Sequence, residues 1–281
     1  MDHANPAVII GGLGGSGTRV VAALVQHWAI HLGSDLNEQL DNLTYTLIFK
    51  RREILDLAEG RISQDLQLLS DLVRECRKMS ADEFRYLTEL AREDRPQHQA
   101  EWLQTRVMHL RAREASPDFG AIQHRAWGWK EPNSHVLLPH FRTAFPAARY
   151  IHVVRNGLDM AFSGNKNQLF YWGDRLLGNA GEANANRQLK YWCAVQKRAI
   201  EIGAEMGDRF YLLNYDQLGA APENEIAKLM MFMQVDAPAT LLASSCKLVD
   251  PPASLRFKSQ DVSQLDRDAI DYVASLGFAV R

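Results

Sequence analysis

The chain has 281 residues, 32 basic and 34 acidic, for a formal charge of −2 at pH 7; it therefore carries no overall basic field of the kind that holds nucleic acid or an anionic membrane, and any anion site must be local. Its length suits one large α/β domain or two small ones with ample core, and a single domain over residues 1–281 is the expected arrangement. No apolar run reaches membrane-spanning length and MDHANPAV lacks a basic region followed by an apolar core, so no membrane span and a soluble, cytoplasmic protein are expected.

From residue 7 the sequence reads AVIIGGLGGSGTRVVAALV. Val8, Ile9 and Ile10 form a short β-branched run bounded by Gly11 and Gly12, the pattern of a buried parallel strand. Gly11, Gly12, Gly14, Gly15 and Gly17 then permit positive φ and let backbone N–H groups turn inward, with Ser16 and Thr18 adding hydroxyls. Val20, Val21, Leu24 and Val25 recur at helical spacing, so the positive end of a helix dipole faces the same point, and Arg19 adds a full charge. Strand, anion-binding loop and helix are expected in succession. The loop lacks the lysine of a Walker A motif, since Gly17 is followed by Thr18-Arg19, which argues against an ATPase or GTPase. Gly12, Gly14 and Gly17 do satisfy G-x-G-x-x-G, and Asp35 lies near the distance at which a dinucleotide-binding fold carries its ribose-binding acid. An NAD(P)- or FAD-binding Rossmann oxidoreductase stays open, with residues 29–32 as the only source of its second strand.

Gly33 is placed to cap the first helix, and residues 34–42, SDLNEQLDN, read as a polar, acidic loop. Residues 50–113 are charged and poor in glycine, with Leu66, Leu69, Leu72, Val73 and Cys76 on one helical face. An all-helical insertion over about residues 50–115 is expected, either a structural hairpin or a lid over an acceptor pocket. Ser80-x-x-Glu83 is a capping-box pattern that starts a helix at Ala81; Pro96 ends it, and a third helix runs over about residues 99–113.

The α/β pattern resumes with a strand at residues 126–130, AWGWK, followed by Glu131-Pro132-Asn133 and a helix over residues 134–144. Lys130 thus sits at a strand's carboxyl end, where open α/β sheets bind ligands, although pairing with Glu131 would account for it equally. A buried strand at residues 149–154 runs into Arg155, and Ser163 falls within the helix that Gly157 and Leu158 open. Arg155 and Ser163 together would form a second anion site; alternatively Arg155 pairs with Asp159. The scaffold is completed by a long helix over residues 183–206 with Leu189, Trp192, Val195 and Ile202 inward, and a strand over residues 209–215. A helix entered at Pro222 carries Ile226, Leu229, Met230 and Met233 as core, and a last helix reaches Leu276 with Gly277 as its cap. Cys76, Cys193 and Cys246 are far apart and form no C-x-x-C pair, so neither a metal nor a disulfide framework is expected.

Four stretches in order, GGLGGSGTR, WKEPN, YIHVVRNGLDMAFS and NYDQLGAAPENEIAKLMMFM, resemble the sulfotransferase family, enzymes that use 3′-phosphoadenosine 5′-phosphosulfate (PAPS). Ser16-Gly17-Thr18 resembles the core of that family's 5′-phosphosulfate loop, and Arg155-x7-Ser163 its 3′-phosphate motif. Lys130 before an acid and Pro132 resembles its Lys-Asp-Pro element, and Arg256 in LRFKSQ a C-terminal basic element that closes over the nucleotide. The resemblance implies an α/β, P-loop-like, three-layer sandwich with a central parallel sheet. It implies sulfuryl transfer from PAPS to a hydroxyl or amine of a small-molecule, glycan or protein acceptor, with no metal and no nucleic acid. It also implies that Gly14, Gly15, Ser16, Gly17, Thr18 and Arg19 hold the 5′-phosphosulfate, Arg155 and Ser163 the 3′-phosphate, and Lys130 the charge developing on the leaving oxygen. An acid in the segment after the first helix would be the base: Glu38, chosen over Asp35 and Asp41. The loop departs from the family at Gly15, where Lys or Arg is common; Arg19 is placed to replace that cation, and otherwise the chain would bind phosphoadenosine without transferring sulfate. Trp127, Trp129, Phe170, Tyr171 and Trp172 are available to line an aromatic acceptor site or to sit in the core.

Overall fold

The computed structural model describes residues 6–74, 77–93, 95, 97–113, 126–251 and 255–281. Cys76 and Pro96, to which the sequence assigned a thiol and a helix stop, lie outside the described residues. Strand β1 (Ala7–Gly12) leads through the glycine turn into α1 (Thr18–His27) and a two-residue strand, β2 (Ile30–His31). Helices α2 (Leu43–Phe49), α3 (Glu59–Arg74), α4 (Ala81–Leu90) and α5 (Ala100–Ala112) precede β3 (Ala126–Lys130). Then come α6 (Leu138–Ala144), β4 (Arg149–Val154), α7 (Gly157–Ala161), α8 (Asn167–Leu177), α9 (Ala185–Met206) and β5 (Phe210–Asn214). Helices α10 (Tyr215–Ala220), α11 (Pro222–Phe232), α12 (Ala239–Cys246) and α13 (Arg267–Ser275) close the chain.

The five strands form one parallel sheet in the order β2-β3-β1-β4-β5. Alternation along each strand assigns its side chains to two cores. Ile9, Trp129 and Tyr150 face the layer that contains α2, α3, α6 and α9, whereas Val8, Ile10, Ile151 and Val153 face α1 and α11. The result is an α/β three-layer sandwich in which β1 is central and buried throughout. Close approach of β1 and β3 requires Gly128, because a Cβ there would run into the Val8 carbonyl. A dinucleotide-binding sheet places β2 beside β1. Here β3 occupies that position, and the topology overturns the oxidoreductase alternative.

Local departures from the sequence reading have identifiable causes. Gly33 does not cap α1: the helix ends at His27, Ala29 turns the chain at φ 61°, and Gly33, at φ 88°, makes the turn after β2. Residues 134–144 are two elements, a 3₁₀ turn over Pro132–Leu137 and then α6. Pro139 has no N–H to give to the carbonyl four residues earlier, and the Arg198 guanidinium donates to the carbonyls of His135 (2.7 Å) and Val136 (3.0 Å) instead. Ser163 lies beyond α7, which has only five residues, and its hydroxyl accepts the Asn165 N–H at 3.2 Å. Helix α2 escaped notice because LTYTLIF is a β-branched and aromatic run; its start is set by Asn42, whose side chain accepts the Tyr45 N–H at 2.8 Å. The helices between β2 and β3 therefore begin at Leu43 rather than near residue 50.

Helix α4 begins where the capping box requires, with the Ser80 hydroxyl accepting the Glu83 N–H (3.2 Å) and the Glu83 carboxylate accepting the Ser80 N–H (2.8 Å). Among the described residues no helix is long and apolar enough to cross a membrane. Ser80→Ala removes one half of the box, and urea unfolding should show a loss of about 1 kcal/mol. The contribution of Glu83 has a defined pH window. Hydrogen bonding to Arg77, and then the Ser80 N–H, hold its carboxyl down at about 2. Its stabilisation is therefore complete above the unfolded carboxylate's pKa and disappears as the pH falls through about 2.

Candidate active site

Four strands deliver groups to one cavity at the carboxyl edge of the sheet, the edge at which open α/β sheets bind ligands. The glycine loop follows β1, Lys130 ends β3, Arg155 follows β4 and Tyr215 follows β5. All of them line a cavity of about 450 Å³, within the usual range for a bound small molecule. Four cations line it, Arg19, Lys50, Lys130 and Arg155, against two carboxylates, Asp41 and Glu131. The positive field that the whole chain lacks is concentrated here.

The loop offers backbone N–H groups to the cavity. Gly15 and Gly17 sit at φ 94° and 96°, and α1 starts without a side-chain cap. The N–H groups of Gly15, Gly17, Thr18 and Arg19 consequently have no partner among the described residues. Two expected contacts are engaged elsewhere: the Ser16 N–H closes a turn on the Leu13 carbonyl at 3.0 Å, and the Gly14 N–H points to Gln168 Oε1 at 3.4 Å. Gln168 also donates to the Gly12 carbonyl at 3.3 Å, so one amide from α8 braces both sides of the loop. The Ser16 hydroxyl is buried without a partner among the described residues. Gly17 packs on the Tyr215 ring so closely that a Cβ would enter it, and the Arg155 guanidinium stands 5.8 Å from the centre of the same ring.

Arg155 donates to Asp159 at 3.2 Å, so the ion pair foreseen as an alternative forms while the guanidinium also lines the cavity. Its Nε is buried without a partner among the described residues. The other oxygen of Asp159 accepts the Phe257 N–H at 3.2 Å, which fastens the turn Arg256–Ser259 beneath Arg155. Arg256 itself is exposed and outside the lining, and Ser163, although buried, is outside it too.

Lys130 is almost fully buried. Its ammonium donates to the Gln39 carbonyl at 2.8 Å and pairs with Asp41, not with its neighbour Glu131. Arg19 donates to the Gln39 side chain at 3.1 Å. The three acids weighed as bases are thereby separated. Glu38 is exposed and outside the lining, Asp35 is buried against Arg106 at 3.1 Å, and Asp41 alone reaches the cavity, already paired. The aromatic candidates divide as well. Trp127, Trp129, Tyr171 and Trp172 are buried and Phe170 is exposed, with none in the lining.

Two charged residues of the lining, Lys50 and Glu131, escaped the sequence reading as site residues, as did the neutral Gln39, Asn133, Asn165, Asn167, Gln168 and Tyr215. Lys50 caps the carboxyl end of α2, with its ammonium 5.5 Å from the centre of the Tyr171 ring; the signal for it was Asn42, whose capping fixes where α2 starts. Glu131 had been read only as a partner for Lys130. Its carboxylate accepts the Asn133 N–H (2.5 Å) and side-chain N–H (2.8 Å). Burial pushes its carboxyl up to about 7 against the pull of Lys50.

The sheet order and the glycine loop ahead of α1 define a P-loop-like α/β protein, with cations at adjoining strand ends. The profile of the Sulfotransferase family matches residues 6–239, and the chain belongs to that family. Among solved structures, it resembles the sulfotransferase domain from the curacin biosynthetic pathway at 14% identity and a TM-score of 0.51, over 98% of this chain and 99% of that one. The sulfotransferase domain of the Synechococcus PCC 7002 olefin synthase gives 17% identity and a TM-score of 0.49, over 100% and 98%. A sulfotransferase from Mycobacterium avium gives 14% and 0.49, over 100% and 78%. The first of these likenesses concerns the fold alone. No curated protein matches the chain.

Gly17→Ala puts a Cβ into the Tyr215 ring from a left-handed backbone position; the backbone conformation alone costs about 1–3 kcal/mol. Thermal or urea unfolding should register at least that loss.

Proposed function

We propose that the chain, acting as a single domain in the cytoplasm, transfers the sulfuryl group of PAPS to a hydroxyl or amine acceptor. Unpaired thiols such as Cys193 and Cys246 suit that compartment. One observation carries the reading. Unengaged loop N–H groups and the Arg155 guanidinium line a single cavity from the carboxyl ends of two neighbouring strands, β1 and β4, which suits a ligand with two anionic groups. The N–H groups of Gly15, Gly17, Thr18 and Arg19 take the 5′-phosphosulfate, with the Ser16 hydroxyl behind them, and Arg155 takes the 3′-phosphate. Ser163 and Arg256, outside the lining, have no part in this assignment. The donor supplies an activated sulfur; the protein holds it in line with the acceptor and meets the negative charge that builds on the leaving oxygen. Lys130 suits that last task, because its ammonium has three N–H donors and Gln39 and Asp41 engage two.

Gly15 favours a second reading, in which the protein holds the nucleotide without transferring sulfate, because the loop has no cation at that position. Arg19, on the cavity wall, is the available replacement.

Calorimetric titration should show binding of phosphoadenosine phosphate and none of NADH; NADH binding without phosphoadenosine binding would sink the proposal. Arg155→Ala should weaken the nucleotide by about tenfold or more, the loss expected for a charged hydrogen bond. Lys130→Ala should lower transfer from PAPS, scored against a panel of hydroxyl and amine acceptors, by about 10²–10³, the usual effect of losing one charge-stabilising donor. Arg19→Ala tests the replacement, since near-normal transfer would show that Arg19 does not replace the missing loop cation. Binding with no transfer to any acceptor would favour the second reading.

A further inference from the structure

We propose that Glu131 is the group that takes the proton from the acceptor, its carboxylate held by Asn133 and sharing the cavity wall with the Lys50 ammonium. This rests on the sulfuryl-transfer reading above.

A base must reach the cavity and must not already be neutralised by a cation. Glu38 fails the first requirement and Asp35 is buried against Arg106. Asp41 lines the cavity but pairs with Lys130, the charge needed at the leaving oxygen. Glu131 is the remaining carboxylate of the lining among the described residues. It follows Lys130 directly, so the proton acceptor and the leaving-group cation emerge from the same strand end.

Its surroundings favour basicity with a fixed orientation. Asn133 donates to both carboxylate oxygens, and the Asn133 side-chain oxygen accepts the Trp172 indole N–H at 2.8 Å. That chain of bonds fixes the plane of the carboxylate while each oxygen keeps a free lone pair. The charged and titratable groups that face it are Lys50 and Tyr45 from α2, Asp41 from the loop after β2, Tyr150 from β4 and Tyr171 from α8. Burial raises the carboxyl to about 7, close to where a general base works best.

The step balances without a further reagent. As the acceptor oxygen or nitrogen forms its bond to sulfur, its proton passes to the Glu131 carboxylate. The bond from sulfur to the bridging oxygen breaks, and its electron pair stays on the phosphate, where Lys130 meets it. The products are the sulfated acceptor, phosphoadenosine phosphate and neutral Glu131, which then returns its proton to solvent.

Two measurements on the full chain test this. Carbon-13 NMR of carboxyl-labelled glutamate, with phosphoadenosine phosphate bound and the signal assigned from its loss in Glu131→Gln, should place the Glu131 midpoint near 7. Lys50→Met should move that midpoint upward, because removing a facing positive charge disfavours the carboxylate. A midpoint at the ordinary value of about 4.3 overturns the proposal, and so does one that Lys50→Met leaves in place. Release of sulfate from PAPS, with water as the probe acceptor, should rise with pH through the same midpoint. In Glu131→Gln it should fall by about 10²–10⁴ and lose that pH dependence, with phosphoadenosine phosphate binding unchanged. A variant that keeps the rate and its acidic limb overturns the assignment, and one that loses nucleotide binding in equal measure shows a structural role instead. If Glu131→Gln does not fold, the signal is assigned from its loss in Glu131→Asp, and the midpoint shift in Lys50→Met decides. Wild-type protein that binds no phosphoadenosine phosphate refutes the transfer reading, whereas a low Glu131 midpoint in nucleotide-bound protein refutes only this one.

Discussion

The carboxyl edge of the sheet depends on one buried amide, Asn42. Its backbone N–H binds the carbonyl of Lys130 at 2.7 Å, its side-chain N–H the carbonyl of Leu32 at 2.9 Å, and its side-chain oxygen the Tyr45 N–H at 2.8 Å. Three elements with no covalent proximity, the end of β2, the end of β3 and the start of α2, are thereby held in one frame. Asp41 precedes this residue and reaches the Lys130 ammonium, while Lys50 stands at the far end of α2. The positions of two cations and one anion in the cavity thus follow from a helix cap. A residue without hydrogen-bonding atoms at position 42 would strand a buried carbonyl and a buried N–H, a loss that packing does not recover.

Charge in the cavity is arranged in advance of any ligand. Lys130 and Arg155 are both largely buried, and unpartnered cations there would be costly; each is held by a carboxylate, Asp41 and Asp159 respectively. Those carboxylates fix the cations in place and leave part of each donor set unused. Donors already oriented need no reorganisation when charge develops, which is the condition under which electrostatic stabilisation is most effective. The loop contributes in the same way through N–H groups whose direction is set by glycine backbone and by the brace from Gln168.

What was legible in the sequence was what periodicity and local chemistry determine. The central strand, the glycine loop, the capping box at Ser80 and the strand ends at Lys130 and Arg155 all announce themselves within a few residues. The sheet order did not, because it depends on which strands neighbour β1, and that is settled by packing over the whole chain. Helix α2 was missed for a related reason: its propensity favours a strand, and tertiary burial with the Asn42 cap prevails. At the site, the residue types were readable but their partners were not. Lys130 beside Glu131 in sequence suggests a pair, yet successive residues at a strand end point in different directions, and Lys130 finds Asp41 from 89 positions away. Glu38 is the natural choice among three acids in a loop, and the fold places it in solvent outside the cavity lining.

Asp159 joins the guanidinium of Arg155 to the backbone of Phe257 through its two oxygens. The neighbouring Asn156 side chain binds the carbonyl of Ala279 at 2.7 Å. An anion that drew Arg155 away from this carboxylate would act on the same side chain that holds a turn about a hundred residues further along the chain. Reciprocity of linked equilibria then requires that loosening the turn changes the affinity for the anion by the same factor. An anion bound at Arg155 and the turn Arg256–Ser259 would then be linked through one side chain, Asp159.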